Sequence, residues 1–180
     1  MGKIILCRGK KADTPLTVLQ TGVKLYTAEE LCYYIYNNIY LIGQDFIDDN
    51  LISFLDETGE KELAERVRKL KETGGSLAQI FVIILKTIDY YSVAEIEQLK
   101  GILNTLGKQS VCERLKARGD GYLNAGYYFA AVRCYESIIK DYKGKDLLAA
   151  DYAKVYHNLG TAYARMFMYD KAVIYYDEAY

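Results

Sequence analysis

Tyr156-His-Asn-Leu159-Gly160-Thr-Ala-Tyr163, followed by Ala172-Val-Ile-Tyr-Tyr176, is the stretch whose pattern decides the fold. Sliding the chain over itself by 41 positions lays Gly119 on Gly160, Tyr122 on Tyr163, Tyr128 on Tyr169, Ala131 on Ala172, Val132 on Val173, Tyr135 on Tyr176 and Glu136 on Asp177. Small residues and aromatics recur together. A two-helix unit that buries one hydrophobic face by stacking on its neighbour needs both, because the small residues let the helices approach closely. Gly160 and Ala172 supply that approach, and Tyr163 and Tyr176 fill the volume around it. Gly119, Ala131, Tyr122 and Tyr135 take the same roles in the earlier copy.

These two copies resemble the tetratricopeptide repeat family, whose pattern is aromatic-x-x-Leu-Gly-x-x-Tyr on a first helix and Ala-x-x-x-aromatic on a second. Residues 153–180 match it with Tyr156 in place of tryptophan, Leu159 in position, and Ala179 after the second aromatic. Residues 112–145 depart from it more. Leu115 replaces the aromatic, Arg118 the leucine, Ile138 the alanine and Lys143 the usual closing proline, while the Gly-Tyr-Ala-Tyr frame stays intact. The family unit has about 34 residues, so an offset of 41 leaves about seven extra, placed at 143–151 as a longer helix or loop. The resemblance implies a mainly all-α fold, an α-α superhelix of antiparallel helical hairpins, and a protein-binding scaffold in place of an enzyme. It also implies a groove lined by the first helices, with Lys116, Asp120 and Leu123 from one repeat and Lys154, His157, Asn158, Thr161 and Arg165 from the next. In relatives that grip a terminal carboxylate this lining carries Lys and Asn. Lys116 and Asn158 fit such a clamp, whereas Asp120 sets an acid where an amide is expected and would repel the ligand.

Composition narrows the rest. One proline, Pro15, and fourteen glycines in 180 residues leave the chain after position 15 without an obligatory helix breaker. Nineteen tyrosines suit packed interfaces with wet edges, since each buried hydroxyl still needs a partner. Cys7, Cys32, Cys112 and Cys134 stand 25, 80 and 22 positions apart, a spacing that matches no zinc site or dense disulfide framework. Reduced thiols in a cytoplasmic protein are the expectation. The opening Met-Gly-Lys-Ile-Ile-Leu-Cys has too short an apolar run for a signal peptide, and Leu6 stands where a myristoylation signal wants Ser or Thr. The longest apolar run, Ile80 to Leu85, stops at Lys86, far short of the roughly 18 residues that cross a bilayer.

The N-terminal 110 residues resemble only uncharacterised bacterial proteins of similar layout. Short strands near 3–7 and 22–26, separated by turn residues around Asp13-Thr-Pro15, predict a small β-hairpin or extended cap. Thr27 with Glu30, Ser76 with Gln79 and Ser92 with Glu95 have the capping-box spacing that starts a helix. A helix is predicted over 28–42, a short one after Asp45, Asp48 and Asp49 that buries Phe46, Ile47, Leu51, Ile52 and Leu55 and closes at Thr58-Gly59, and further helices over 60–72, 77–90 and 93–106. Gly43, Gly59, Gly74 and Gly107 mark their ends, and the last two form an antiparallel pair across Tyr91-Ser92.

Other chemistry is weakly signalled. His157 is the only histidine, and its ordinary role is an exposed groove residue. Gly119-Asp-Gly121 lacks the Lys-Ser/Thr of a phosphate loop and lies in a helical pattern. Ten basic residues against nine acidic in 111–180 do not make a nucleic-acid groove. Partners are therefore expected to be proteins, with no nucleic acid, no membrane, no cofactor and no metal. An alternative function puts a regulatory or metal-dependent site in the N-terminal unit at Asp45, Asp48 and Asp49, within a stretch, 27–58, holding seven carboxylates and no Lys or Arg. Tyr180 falls inside the second helix of the second repeat, where an array closes with a polar-faced cap. Either the natural chain runs on, or another copy covers the face near Tyr175, Tyr176, Ala179 and Tyr180.

Overall fold

A computed structural model of the chain describes residues 7–142 and 147–180. Among them lie β1 (Leu16–Val18), β2 (Val23–Leu25), α1 (Ala28–Asn37), α2 (Asp49–Glu57), α3 (Lys61–Glu72), α4 (Leu77–Ile88), α5 (Val93–Lys108), α6 (Val111–Asn124), α7 (Tyr128–Asp141), α8 (Ala149–Arg165) and α9 (Tyr169–Asp177), with a 3-10 turn at Gln44–Phe46. The protein is mostly helical with a small two-stranded sheet, and it divides into two compact units, Met1–Lys108 and Gln109–Tyr180.

In the first unit β1 and β2 pair antiparallel, Leu16 opposite Leu25, Thr17 opposite Lys24 and Val18 opposite Val23. The strand expected at 22–26 is present. Residues 3–6 of the other expected strand lie outside the described residues, Cys7 is not in a strand, and the partner of β2 is Leu16–Val18, immediately after the supposed turn. The physical reason is alternation: Leu16 and Val18 are buried while Thr17 is exposed, as a half-buried strand requires. The connection turns at 19–22 instead, where Thr21 and Gly22 donate their N–H groups to the Val18 carbonyl and Gly22 takes φ +71°.

All three anticipated capping boxes start helices, and Ser110 with Glu113 forms a fourth at α6. Helix α1 ends at Asn37, five residues before the expected Ile42. The amides of Asn37 and Asn38 donate back to the carbonyls of Tyr33 and Tyr34, at 2.8 and 3.0 Å, and take over the acceptors of the last turn. At the other limit, α5 runs through Gly107 to Lys108. Helix α4 packs on α1, α3 and α5 and buries Ile80, Phe81, Ile84 and Leu85 completely, which makes it the centre of this unit. Glu29, in the first turn of α1, is buried and accepts the backbone N–H groups of Arg8 and Gly9 at 2.7 and 2.8 Å. Burial works to raise its carboxyl, but those donors together with its own N–H and the Thr27 hydroxyl outweigh it and hold the group below the usual carboxylate range.

In the second unit α6 packs on α7, α8 on α9, and α7 on α8. Three-residue connections at 125–127 and 166–168 fold each pair back as an αα-hairpin. Both close in the same way. Tyr127 donates to the Tyr122 carbonyl and Met168 to the Tyr163 carbonyl, each at 2.9 Å, around a left-handed residue, Gly126 (φ +81°) or Phe167 (φ +61°). Within each hairpin a tyrosine ring lies on a glycine. A Cβ on Gly119 would stand 2.7 Å from a Tyr135 ring carbon, and one on Gly160 would stand 2.8 Å from a Tyr176 ring carbon and 3.1 Å from the Ala172 carbonyl oxygen.

Overpacking of this kind costs about 1–3 kcal/mol. Gly119→Ala and Gly160→Ala are each expected to lose that much in urea unfolding, although alanine favours a helix over glycine by about 1 kcal/mol. Gly101→Ala in α5, where nothing lies within 4 Å of the new methyl, is the control and is expected to gain up to about 1 kcal/mol. Stability of Gly160→Ala at or above wild type would contradict the contact.

Candidate functional site

Helices α6 and α8 lie side by side in the second unit, and a polar knot fastens them. The carboxylate of Asp120 on α6 accepts three hydrogen bonds: Lys116 Nζ at 2.9 Å on Oδ2, and the Tyr135 hydroxyl at 2.7 Å and Asn158 Nδ2 at 2.9 Å on Oδ1. Three helices, α6, α7 and α8, thus meet at one side chain that is two-thirds shielded from water. Charge-assisted bonds of this length are the strong class, and shielding strengthens them further.

This arrangement changes the meaning of the predicted lining. Lys116 and Asn158, the two residues that fit a clamp for a ligand's carboxylate, are both bound to the chain's own carboxylate. Asp120 is therefore the occupant of that arrangement, and the repulsion anticipated for it is absorbed inside the fold. The other predicted groove residues remain at the surface. Lys154 is exposed and pairs with Asp151 at 3.5 Å, one turn before it. His157 is exposed with its ring 5.3 Å from that of Tyr176. Arg165 is exposed at the end of α8, and Leu123 is half-buried one turn beyond Asp120. The Thr161 hydroxyl bonds the His157 carbonyl at 3.0 Å and the Tyr176 hydroxyl at 3.1 Å.

Thr161 and Asp120 are counterparts across the 41-residue offset, and so are Tyr176 and Tyr135. In both hairpins the tyrosine whose ring covers the glycine sends its hydroxyl to the residue immediately after that glycine. The structural residues of the repeat line up accordingly, with Gly119, Tyr122, Ala131, Tyr135, Leu159, Gly160, Tyr163 and Ala172 buried and Tyr176 half-buried. A second network, which no sequence pattern marks, joins α7 and α8. Glu136 accepts the Tyr163 hydroxyl at 2.8 Å and Lys140 Nζ at 2.7 Å, and Lys171 of α9 sits 5.2 Å over the Tyr163 ring. A buried phenol needs a partner, and the fold supplies a different one at each site: Asp120 for Tyr135, Glu136 for Tyr163 and the Thr161 hydroxyl for Tyr176. Of the tyrosines considered for self-association, Tyr175 is stacked on Tyr163 at 5.4 Å and Tyr176 rests on Gly160, while Tyr180 is fully exposed.

In the first unit the three acids of the alternative site are engaged separately. Asp48 caps α2 by accepting the Leu51 N–H at 2.9 Å, Asp49 pairs with Lys71 at 2.7 Å, and Asp45 accepts the Gln20 amide at 3.0 Å. Among the described residues no three His, Cys, Asp or Glu side chains converge on one point, and no helix is long and apolar enough to cross a membrane. Compared with protein-family models, curated proteins and solved structures, the chain matched none of them.

Burial, reinforced by the hydrogen bond to Asp120, pushes the Tyr135 hydroxyl well above the ordinary phenol range, and burial with Glu136 does the same for Tyr163. A pKa raised in the folded state contributes stability that is intact below the unfolded value near 10 and is lost as pH rises above it. An absorbance titration of the native protein is therefore expected to leave at least these two phenols un-ionised until alkaline unfolding releases them. Ionisation of all nineteen tyrosines in one step near pH 10, with the fold retained, would contradict the assignment. Asp120→Ala strands three donors and is expected to cost about 2 kcal/mol in urea unfolding. A loss within about 0.5 kcal/mol, the range of an ordinary surface change, would show that the knot does not hold.

Proposed function

We propose that residues 109–180 form a tetratricopeptide-type helical scaffold that holds a peptide or helix of a partner protein against the face shared by α6 and α8. The protein is an adaptor and not an enzyme, in the cytoplasm. One observation supports this reading: the same ring-on-glycine contact recurs 41 residues apart in two hairpins, with α7 packed on α8 and α6 beside α8. Repeat units that stack this way form continuous binding surfaces.

The residues left at that surface define the ligand. Lys154, His157 and Arg165 line one edge and Leu123 offers an apolar contact, which favours a peptide carrying acidic side chains along its length. Because Lys116 and Asn158 are held by Asp120, recognition does not run through a free terminal carboxylate.

Selection of a displayed peptide library on the immobilised full-length protein tests this. Acidic peptides with micromolar affinity are expected, bound equally well with amidated and free C-termini. Their affinity is expected to fall by about tenfold or more in the double variant His157→Glu/Arg165→Glu, two exposed positions where folding is not at stake. Failure of any peptide family to enrich, or binding indifferent to that variant, would reject the proposal.

A further inference from the structure

The first unit holds a cleft that the peptide reading of α6 and α8 does not use. About 260 Å³ in volume, it lies between α2 and the segment that carries β1. Leu16 and Phe54, both buried, line it together with Pro15, and Leu19 adds an apolar side chain that is 81% exposed. Thr17, Asn50 and Ser53, all exposed, contribute two hydroxyls and an amide. The Thr14 N–H donates to Glu57 Oε2 at 3.1 Å, which fixes one end of the cleft. Asn50, seven residues earlier on α2, stands about 10 Å away at the ordinary helical rise. Its amide donates to Asp48 Oδ2 at 2.8 Å, so a second carboxylate sits at that end.

Charge and shape together define what fits. The lining includes Glu57 and no Lys or Arg, and Lys24, opposite Thr17 in the sheet, is exposed and outside the lining. Glu57 and Asp48 take only uncharged N–H donors among the described residues, so both ends keep their negative charge. An apolar strip separates them. A metal ion needs its oxygen ligands within about 2.6 Å of one centre, which two carboxylates about 10 Å apart do not supply. Drug-sized ligands fill about 300–1,000 Å³, so this cleft suits a slimmer molecule. The complement of two separated carboxylates joined by apolar surface is a thin chain of methylenes with a cation at each end.

We propose that this cleft binds a linear aliphatic polyamine, with one ammonium at Glu57, another at Asp48, and the methylene chain between them along Leu16, Leu19 and Phe54. The hydroxyls of Thr17 and Ser53 and the Asn50 amide oxygen are acceptors for an amine within the chain. Asp48 carries the second role without giving up the first, because a carboxylate oxygen that caps α2 has a further lone pair for the ammonium. Partly exposed ion pairs each contribute little, which places the affinity for a triamine such as spermidine near about 1 mM.

Titration of the isotope-labelled full chain with spermidine at low salt, followed by NMR, tests the proposal. Shifts are expected to saturate and to be confined to residues 14–19 and 48–57. Glu57→Gln still accepts the Thr14 N–H through its amide oxygen and Asp48→Asn still caps α2, so both remove charge and keep the fold. Each is expected to weaken binding about threefold, and the two together about tenfold. Propylamine, with a single ammonium, is expected to bind about tenfold or more weakly than spermidine. Four results overturn the proposal: no saturating shift, shifts spread over the other acidic surfaces, equal shifts with propylamine or magnesium at matched ionic strength, or an affinity unchanged in the double variant. A Lys- or Arg-rich peptide that binds these residues more tightly than spermidine makes the cleft a protein contact and overturns it as well. None of these residues lies among the proposed peptide contacts on α6 and α8, so the two readings fail separately.

Discussion

The second unit depends on the absence of two methyl groups. Tyr135 and Tyr176 lie so close to the backbones of Gly119 and Gly160 that a Cβ at either glycine would fall inside the contact distance of the ring. Glycine in the middle of a helix costs about 1 kcal/mol relative to alanine, and the ring packing it permits offsets that loss. Other features follow from the close approach. The phenol is carried past the glycine to the next residue, Asp120 or Thr161, and the connections must turn within three residues through a left-handed conformation. Glycine takes that conformation freely at 126. Phe167 takes it under strain, a burden of about 1–2 kcal/mol for a residue with a side chain.

The polar side of the same packing decides what kind of surface results. A scaffold that left Lys116 and Asn158 facing solvent would present a cationic and amide-bearing socket. Here Asp120 fills it and ties three helices together. Tyr163 and Glu136 do equivalent work between α7 and α8. Side chains that in other settings act as acids, bases or ligands serve here to fix helices in register.

The sequence was informative wherever the physics is local or repeated. Small residues and tyrosines at fixed spacing marked the hairpins, and Ser or Thr followed three residues later by Glu or Gln marked helix starts. Ser110 with Glu113 carries that same signal at the start of α6. Long-range pairings were not legible. Nothing near Asp120 in the sequence announces Asn158, 38 positions away, and the pairing of Leu16–Val18 with Val23–Leu25 rests on three residues a side, too few for periodicity to stand out. Helix α1 closes at Asn37, short of the predicted Ile42, through the amides of Asn37 and Asn38, a local competition that apolar periodicity does not register. Helix phase settled the tyrosines near the C-terminus: Tyr175 and Tyr176 turn inward, and Val173, three residues earlier than Tyr176, is the one that faces out.

Ring-on-glycine packing leaves a direct spectroscopic mark, because protons held over an aromatic face are shielded by its ring current. Proton NMR of the folded chain with Gly119 and Gly160 assigned is the decisive measurement. Their α-protons are expected well upfield of ordinary glycine values, with nuclear Overhauser contacts to the rings of Tyr135 and Tyr176 respectively. Both glycines at unshifted positions, with no contact to either ring, would show that the two hairpins are not built on this interaction.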